Sequence, residues 1–136
     1  MTLELQATPQ EVMRAVDALR SFAQQYGIED KAIFGLTVAL EECAANIVDH
    51  TFKRNAQQKF RVRFEMSGES ISVELRDRGP QFDPTSAPAR NRSEDESGGW
   101  GIQIVRRHTD ELRYRHDGGE NILTLKKKVL PASAPK

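Results

Sequence analysis

Two runs of apolar residues at helical spacing open the chain. Val12, Ala15, Val16, Leu19, Phe22 and Ala23 recur three and four apart, with Thr8-Pro9 ahead of them as a side-chain cap and a first-turn proline, and Gly27 behind. A second helix begins near Glu29 or Asp30, and Ile33, Leu36, Thr37, Leu40, Ala44, Ile47 and Val48 mark its buried stripe. Ahead of both, Leu3 to Gln6 alternate enough for a short edge strand. Further on the period changes to two. Phe60, Val62, Phe64 and Met66 alternate with Arg61, Arg63 and Glu65, and Ile71, Val73 and Leu75 alternate with Ser72, Glu74 and Arg76, so Ser67-Gly68-Glu69-Ser70 joins a hairpin with one wet face. From Gly79 to Gly99 the chain turns to Pro, Ser, Asp, Glu, Asn and Arg with almost nothing apolar, which is too long for an ordinary connection and reads as a mobile lid. Gly101 to Thr109 is short and helical, and Leu112 to His116 and Asn121 to Val129 form a second hairpin around Asp117-Gly118-Gly119.

This order of helices and strands predicts an α+β two-layer sandwich, with helices packed on one face of a mixed, mostly antiparallel sheet. The expected organisation is one domain over residues 1–130, with the lid at about 80–98, and a disordered tail from Pro131 to Lys136. Charge changes the picture little but excludes some functions. Lys plus Arg number 20 and Asp plus Glu number 20, so no overall field draws the chain to nucleic acid or to a membrane surface, and a specific partner is the expectation. No apolar run reaches the ~20 residues of a membrane helix. The single cysteine, Cys43, rules out an internal disulfide, and with no apolar leader the expected location is the cytoplasm. Cys43 falls on the apolar side of its helix, where it packs rather than reacts.

Three segments carry candidate chemistry. Glu42-Cys43-Ala44-Ala45-Asn46 sets a carboxylate and an amide one helical turn apart on one face, a base beside a possible metal ligand, off the buried stripe and bordering a cleft. Such a pair is also common on solvated helices. Asp77-Arg78-Gly79 can aim a carboxylate at a heteroaromatic donor while its glycine admits close approach, and it equally describes a strand ending in a turn. Gly98-Gly99-Trp100-Gly101-Ile102 is a glycine-rich turn opening a helix, suited to cradling phosphate, or a hinge under a packed tryptophan. Order, spacing and context at all three places favour a nucleotide site.

Together these segments resemble the ATPase and kinase fold shared by histidine kinases, gyrase, Hsp90 and MutL, the GHKL superfamily. Glu42 to His50 is similar to its N box, Asp77-Arg78-Gly79-Pro80-Gln81-Phe82-Asp83-Pro84 to its first glycine box, and Gly99 to Val105 to its second. Within it, the Asp-x-Gly-x-x-Phe-Asp form and the ending Gly119 to Leu125 most resemble bacterial anti-sigma factor serine/threonine kinases of the RsbW and SpoIIAB type. The resemblance implies a Bergerat-type ATPase fold binding Mg·ATP. Glu42 would orient or deprotonate the attacking hydroxyl, Asn46 would ligate Mg²⁺, and Asp77 would accept a hydrogen bond from the adenine amino group with Gly79 giving room for the base. Gly99 and Gly101 would expose N–H groups to the phosphates, and Ile102 joins them among the nucleotide-binding residues. Asn121 stands near where relatives place a threonine by the adenine. Arg90 and Arg92 could reach the phosphates when the lid closes, or be ordinary charges of a solvated loop. His50 and Glu41 are read as non-catalytic. The implied activity is phosphorylation of an anti-sigma antagonist of the STAS type, alternating with sequestration of a sigma factor, by a homodimer; the alternative is an ATP-binding interaction module with little or no kinase activity.

Overall fold

The computed structural model describes residues 1–85 and 98–129, with backbone alone considered at residues 98–100. The expected elements are present in the expected order. Strand β1 (Thr2–Gln6) is followed by helices α1 (Pro9–Gln25) and α2 (Asp30–Asn46), the hairpin β2 (Lys59–Ser67) and β3 (Ser70–Asp77), helix α3 (Gly98–Arg107), and the hairpin β4 (Glu111–Asp117) and β5 (Glu120–Lys128). Thr8 caps α1 by accepting the Glu11 N–H at 3.2 Å, and Pro9 occupies the first turn, where its missing N–H costs nothing. Helix α3 starts at Gly98, so the glycines expected to form a turn ahead of the helix lie in its first turn. The proposed lid lies largely, with Arg90 and Arg92 entirely, outside the described residues, as does the tail.

The five strands form one sheet in the order β1-β2-β3-β5-β4, and every pairing is antiparallel. The expectation of a mixed sheet is corrected in this respect. A parallel neighbour would arise if β4 lay directly beside β3 after the crossover through α3. Instead β5 inserts between them, so β3 and β4 share a direction without touching. Both hairpins turn over two residues. Asp117 pairs with Glu120, and Gly118 and Gly119 have φ of 61° and 80°, the two positive values that a turn matched to strand twist requires.

Register divides the sheet into a wet and a dry face. Leu3, Val62, Leu75, Leu123 and Tyr114 align across all five strands and face the helices, as do Leu5, Phe60, Asp77, Asn121 and His116. The core lies between this face and α1 and α2, with Leu5, Leu19, Leu36, Leu40, Phe60 and Phe64 among its fully buried side chains. Helix α2 is buried more completely than a single stripe requires, since Ala32, Gly35, Ala39 and Cys43 are also enclosed. On the wet face Glu120 is buried among arginines. Arg61 donates to it, Arg76 donates at 3.1 Å, and Arg78 stands at 4.0 Å. Burial alone would raise the Glu120 carboxyl pKa, but the hydrogen bonds from Arg61 and Arg76 bring it below the usual range. No helix among the described residues is long and apolar enough to cross a membrane.

Candidate functional site

Asp77 and Asn121 sit directly opposite each other at the ends of β3 and β5, where the inward apolar stripes Ile71-Val73-Leu75 and Leu125-Leu123 give way to polar groups. Each is only 6% exposed, so each must find hydrogen-bond partners within the protein. Asp77 Oδ1 accepts the Gly79 N–H at 2.9 Å and the Asn121 Nδ2 at 2.9 Å. Asn121 Nδ2 also faces the carbonyls of Pro80 at 3.0 Å and Gly79 at 3.3 Å, while its Oδ1 accepts the Phe82 N–H at 3.2 Å and the Tyr114 hydroxyl at 2.5 Å. The second oxygen of Asp77 has no protein donor among the described residues.

Between this polar end and α2 lies a cavity of about 320 Å³. Its apolar walls come from Ile47, Leu75, Phe82, Pro84, Ile102 and Leu123, and its polar groups from Asn46, His50, Thr51, Asp77, Tyr114 and Asn121. An apolar cavity with a buried carboxylate in its lining suits a flat ring that carries a hydrogen-bond donor. Phe82 lines the cavity and is still 56% exposed. Cys43 lines the floor, and its burial pushes the thiol pKa far up, which makes it a packing residue as expected.

Helix α2 ends at Asn46 and widens into a π-helical turn over Ile47–Thr51, closed by the Phe52 N–H on the Ile47 carbonyl at 2.9 Å. His50 and Thr51 line the cavity wall on the same side as Cys43, Asn46 and Ile47. Asn46 is half-buried at the cavity, and its amide has no protein partner among the described residues. Glu42 lies one turn back on α2. It does not line the cavity; its carboxylate occupies the space that a Cβ on Gly101 would take, beside the first turn of α3. Burial raises the Glu42 carboxyl pKa above its ordinary value of 4.5, Glu41 and Asp49 add to the shift, and His50 opposes it.

The structure therefore gathers the residues named from the sequence in three places. Asn46, Asp77 and Ile102 share the cavity. Glu42 meets Gly101 next to it. Gly79 sits at the edge, where a Cβ would fall on Thr51 Cγ2 and lie 3.5 Å from the Phe52 ring, so its bareness admits the π-helical turn. Gly99 is in the first turn of α3, whose leading N–H groups lack intrahelical acceptors. Sequence reading missed Tyr114, Thr51 and the cavity position of His50. A signal for Tyr114 existed: the two-residue Gly118-Gly119 turn sets the register, which places Leu112, Tyr114 and His116 on the inner face.

The fold agrees with comparison to known proteins. Residues 5–127 match the family model described as the histidine kinase-like ATPase domain. The chain belongs to that family. Among curated relatives of this histidine kinase-like ATPase domain, the serine/threonine-protein kinase BtrW of Bordetella bronchiseptica is 30% identical, over 97% of this chain and 96% of its own length. The serine-protein kinase RsbW of Listeria innocua is 25% identical, over 93% of this chain and 85% of its own. Among solved structures, the RsbU and RsbW domains of a Mycobacterium tuberculosis protein superpose with a TM-score of 0.70 at 19% identity. That match covers 95% of this chain and 31% of the longer one, and it supports the fold.

Proposed function

We propose that this chain is a serine/threonine protein kinase of the anti-sigma type, which binds Mg·ATP and phosphorylates an anti-sigma antagonist protein of the STAS type. The observation that carries the reading is the meeting of Glu42 with Gly101 at the head of α3, one helical turn from Asn46 and beside a cavity whose far end is Asp77. The groups that have no partner among the described residues fit the implied ligands. Asp77 keeps a carboxylate oxygen for an adenine amino group, Asn46 keeps an amide oxygen for Mg²⁺, and the N–H groups of Gly99 and Gly101 begin a helix, which favours phosphate. Mg·ATP supplies the phosphoryl group and neutralises its charge during transfer. Glu42 holds the incoming serine or threonine hydroxyl and takes its proton, a role suited by a carboxyl whose burial raises its pKa above the ordinary value and so makes it a stronger base. Burial of the base-binding end excludes water from the polar contacts there and strengthens them.

Regulation follows from mutually exclusive binding in this reading, with the antagonist phosphorylated in one complex and a sigma factor sequestered in the other. The chain would act in the cytoplasm as a homodimer, with the exposed side of α1 and the edge strand β1 as the suspected interface; Met13 on α1 is 45% exposed. The names of BtrW and RsbW as protein kinases support the enzyme over an ATP-binding module without turnover. Glu42→Gln tests the choice. Nucleotide affinity should persist while transfer to the antagonist falls about 10² to 10⁴-fold.

Stability serves as the control. Because the folded carboxyl titrates above 4.5, the native state holds more protons than the unfolded state between the two values, so ionised Glu42 costs stability at pH 7. Glu42→Gln should then melt at or above the parent temperature at pH 7, with the advantage vanishing as pH falls below the unfolded value. Transfer at the parent rate would remove Glu42 from the chemistry. A parent that binds ATP yet phosphorylates no cognate antagonist would leave the binding module as the better reading.

A further inference from the structure

We infer that the outer face of the sheet, on the side away from the nucleotide cavity, is a docking surface for an extended acidic segment of a partner protein. This surface owes nothing to the nucleotide reading. Helices α1 and α2 cover the inner face and α3 packs on α2, so no described helix lies over the outer one. Register sets its side chains in rows. One row runs Arg61-Arg76-Ile122-Arg115 across β2, β3, β5 and β4, and the next runs Arg63-Glu74-Thr124-Arg113. Together with Glu120 at the start of β5, these rows hold five arginines against two carboxylates, in a chain whose formal charges sum to zero.

Arg61 and Arg76 stand directly opposite each other, a like-charge pairing that works against the sheet unless a carboxylate lies between them. Glu120 does, accepting from both, and these two arginines are thereby committed to the fold. Arg63, Arg113 and Arg115 are not. Each meets a carboxylate two residues along its own strand, Glu65 at 3.5 Å, Glu111 at 3.0 Å and Asp117 at 3.2 Å, and each side chain is more than half exposed. Exposed pairs of this kind hold by about 0 to 1 kcal/mol, so an incoming carboxylate replaces the resident one at little cost. Spacing sets the shape of the occupant. Arg63 and Arg113 are three strand spacings apart, about 14 Å, with the half-buried Glu74 and Thr124 between them, which leaves room for one extended chain with side chains to both sides. Along β4, Arg113 and Arg115 repeat at about 7 Å, in step with every second residue of such a chain. On the β2 side lies a cleft of about 510 Å³ with Thr2, Arg61, Arg63, Glu74 and Arg76 in its lining. Carboxylate is the matching chemistry, because all five guanidinium groups already meet a carboxylate of this chain. A second copy is the wrong occupant. Across a two-fold axis it would set the same net positive face against itself.

The test is fluorescence anisotropy with the whole chain and a labelled peptide of alternating glutamate and serine, beside a single-stranded oligonucleotide of equal charge. The peptide should bind saturably at low ionic strength and release as salt rises. Arg113→Glu combined with Arg115→Glu, and separately Arg63→Glu, should each weaken it by about tenfold or more, because each reversal replaces an attraction with a repulsion. Arg20→Glu on α1 removes as much charge as Arg63→Glu and should leave the affinity unchanged. A thermal melt checks folding, and Arg63→Gln and Arg113→Gln stand in where a reversal fails to fold. No saturable peptide binding, parental affinity in the folded sheet variants, or an equal loss in Arg20→Glu would overturn the inference. So would an oligonucleotide that binds more tightly than the peptide with the same dependence on Arg63, Arg113 and Arg115, which would make this a nucleic-acid surface. Sedimentation in which the parent self-associates and the sheet variants do not would likewise overturn it, by giving the face to a second copy.

Discussion

Gly101→Ala separates the proposed chemistry from stability in one substitution. An added Cβ would lie 3.0 Å from Glu42 Cγ and 2.8 Å from Cδ, and nearer still to Oε2, all inside ordinary contact. What must yield is the far end of a flexible side chain. Moving it to another rotamer costs about 0.5 to 1.5 kcal/mol, whereas replacing glycine within a helix returns about 0.5 to 1 kcal/mol, toward the lower end in a first turn. The two nearly cancel, so the melting temperature should stay within a few degrees of the parent's. Transfer should not. Displacing a base by about 1 Å costs on the order of 10² in rate, and the loss should largely disappear when Gly101→Ala is placed on a Glu42→Gln background, because the two changes remove the same function. Phosphate transfer from labelled ATP to the cognate antagonist, read beside a thermal melt, supplies both quantities. A stable Gly101→Ala variant that transfers phosphate at the parent rate would refute the placement of Glu42 as the base. The contrast is Gly79→Ala, whose Cβ would meet the branched, stiff Thr51 side chain and lie 3.1 Å from Asp77 Oδ1; it should destabilise by about 1 to 3 kcal/mol.

Asp77→Asn should weaken ATP by about 1 to 3 kcal/mol and bring ATP and GTP affinities together, since an amide turned toward the adenine amine opposes donor to donor; calorimetry with both nucleotides measures it, and unchanged ATP affinity would reduce Asp77 to a turn residue. Asn46→Ala should abolish most of the Mg²⁺ dependence of nucleotide binding, because Mg²⁺ takes few protein ligands in phosphate sites and each counts; titrations with and without the metal decide it. On the wet face, Glu120→Gln should destabilise the fold by about 1 to 2 kcal/mol by weakening the attachment of Arg61 and Arg76. Since the folded Glu120 carboxyl titrates below its ordinary value, the parent's advantage should be full above that value and fade as pH falls through the folded one, as urea melts at pH 7 and pH 4 would show.

Much of this protein was written locally. The change from helical to two-residue period, the Thr8-Pro9 start and the two-residue turns at Gly68-Glu69 and Gly118-Gly119 set the elements and, with them, the register inside each hairpin. Even the inward direction of Asp77 and Asn121 follows from the alternation of the strands they end. Such features depend on residues a few places apart, where backbone preference and turn chemistry act directly. The order of the strands does not. That β5 enters between β3 and β4, making the sheet wholly antiparallel and setting Asn121 opposite Asp77, depends on how two separate hairpins pack around one core. The same holds for Glu42 against Gly101, for the π-helical turn seated against Gly79, and for the five partners around Asn121. A motif names which groups are available, but the polarity a buried group presents depends on which of its lone pairs and hydrogens the fold has already taken, and that is decided only when distant segments meet.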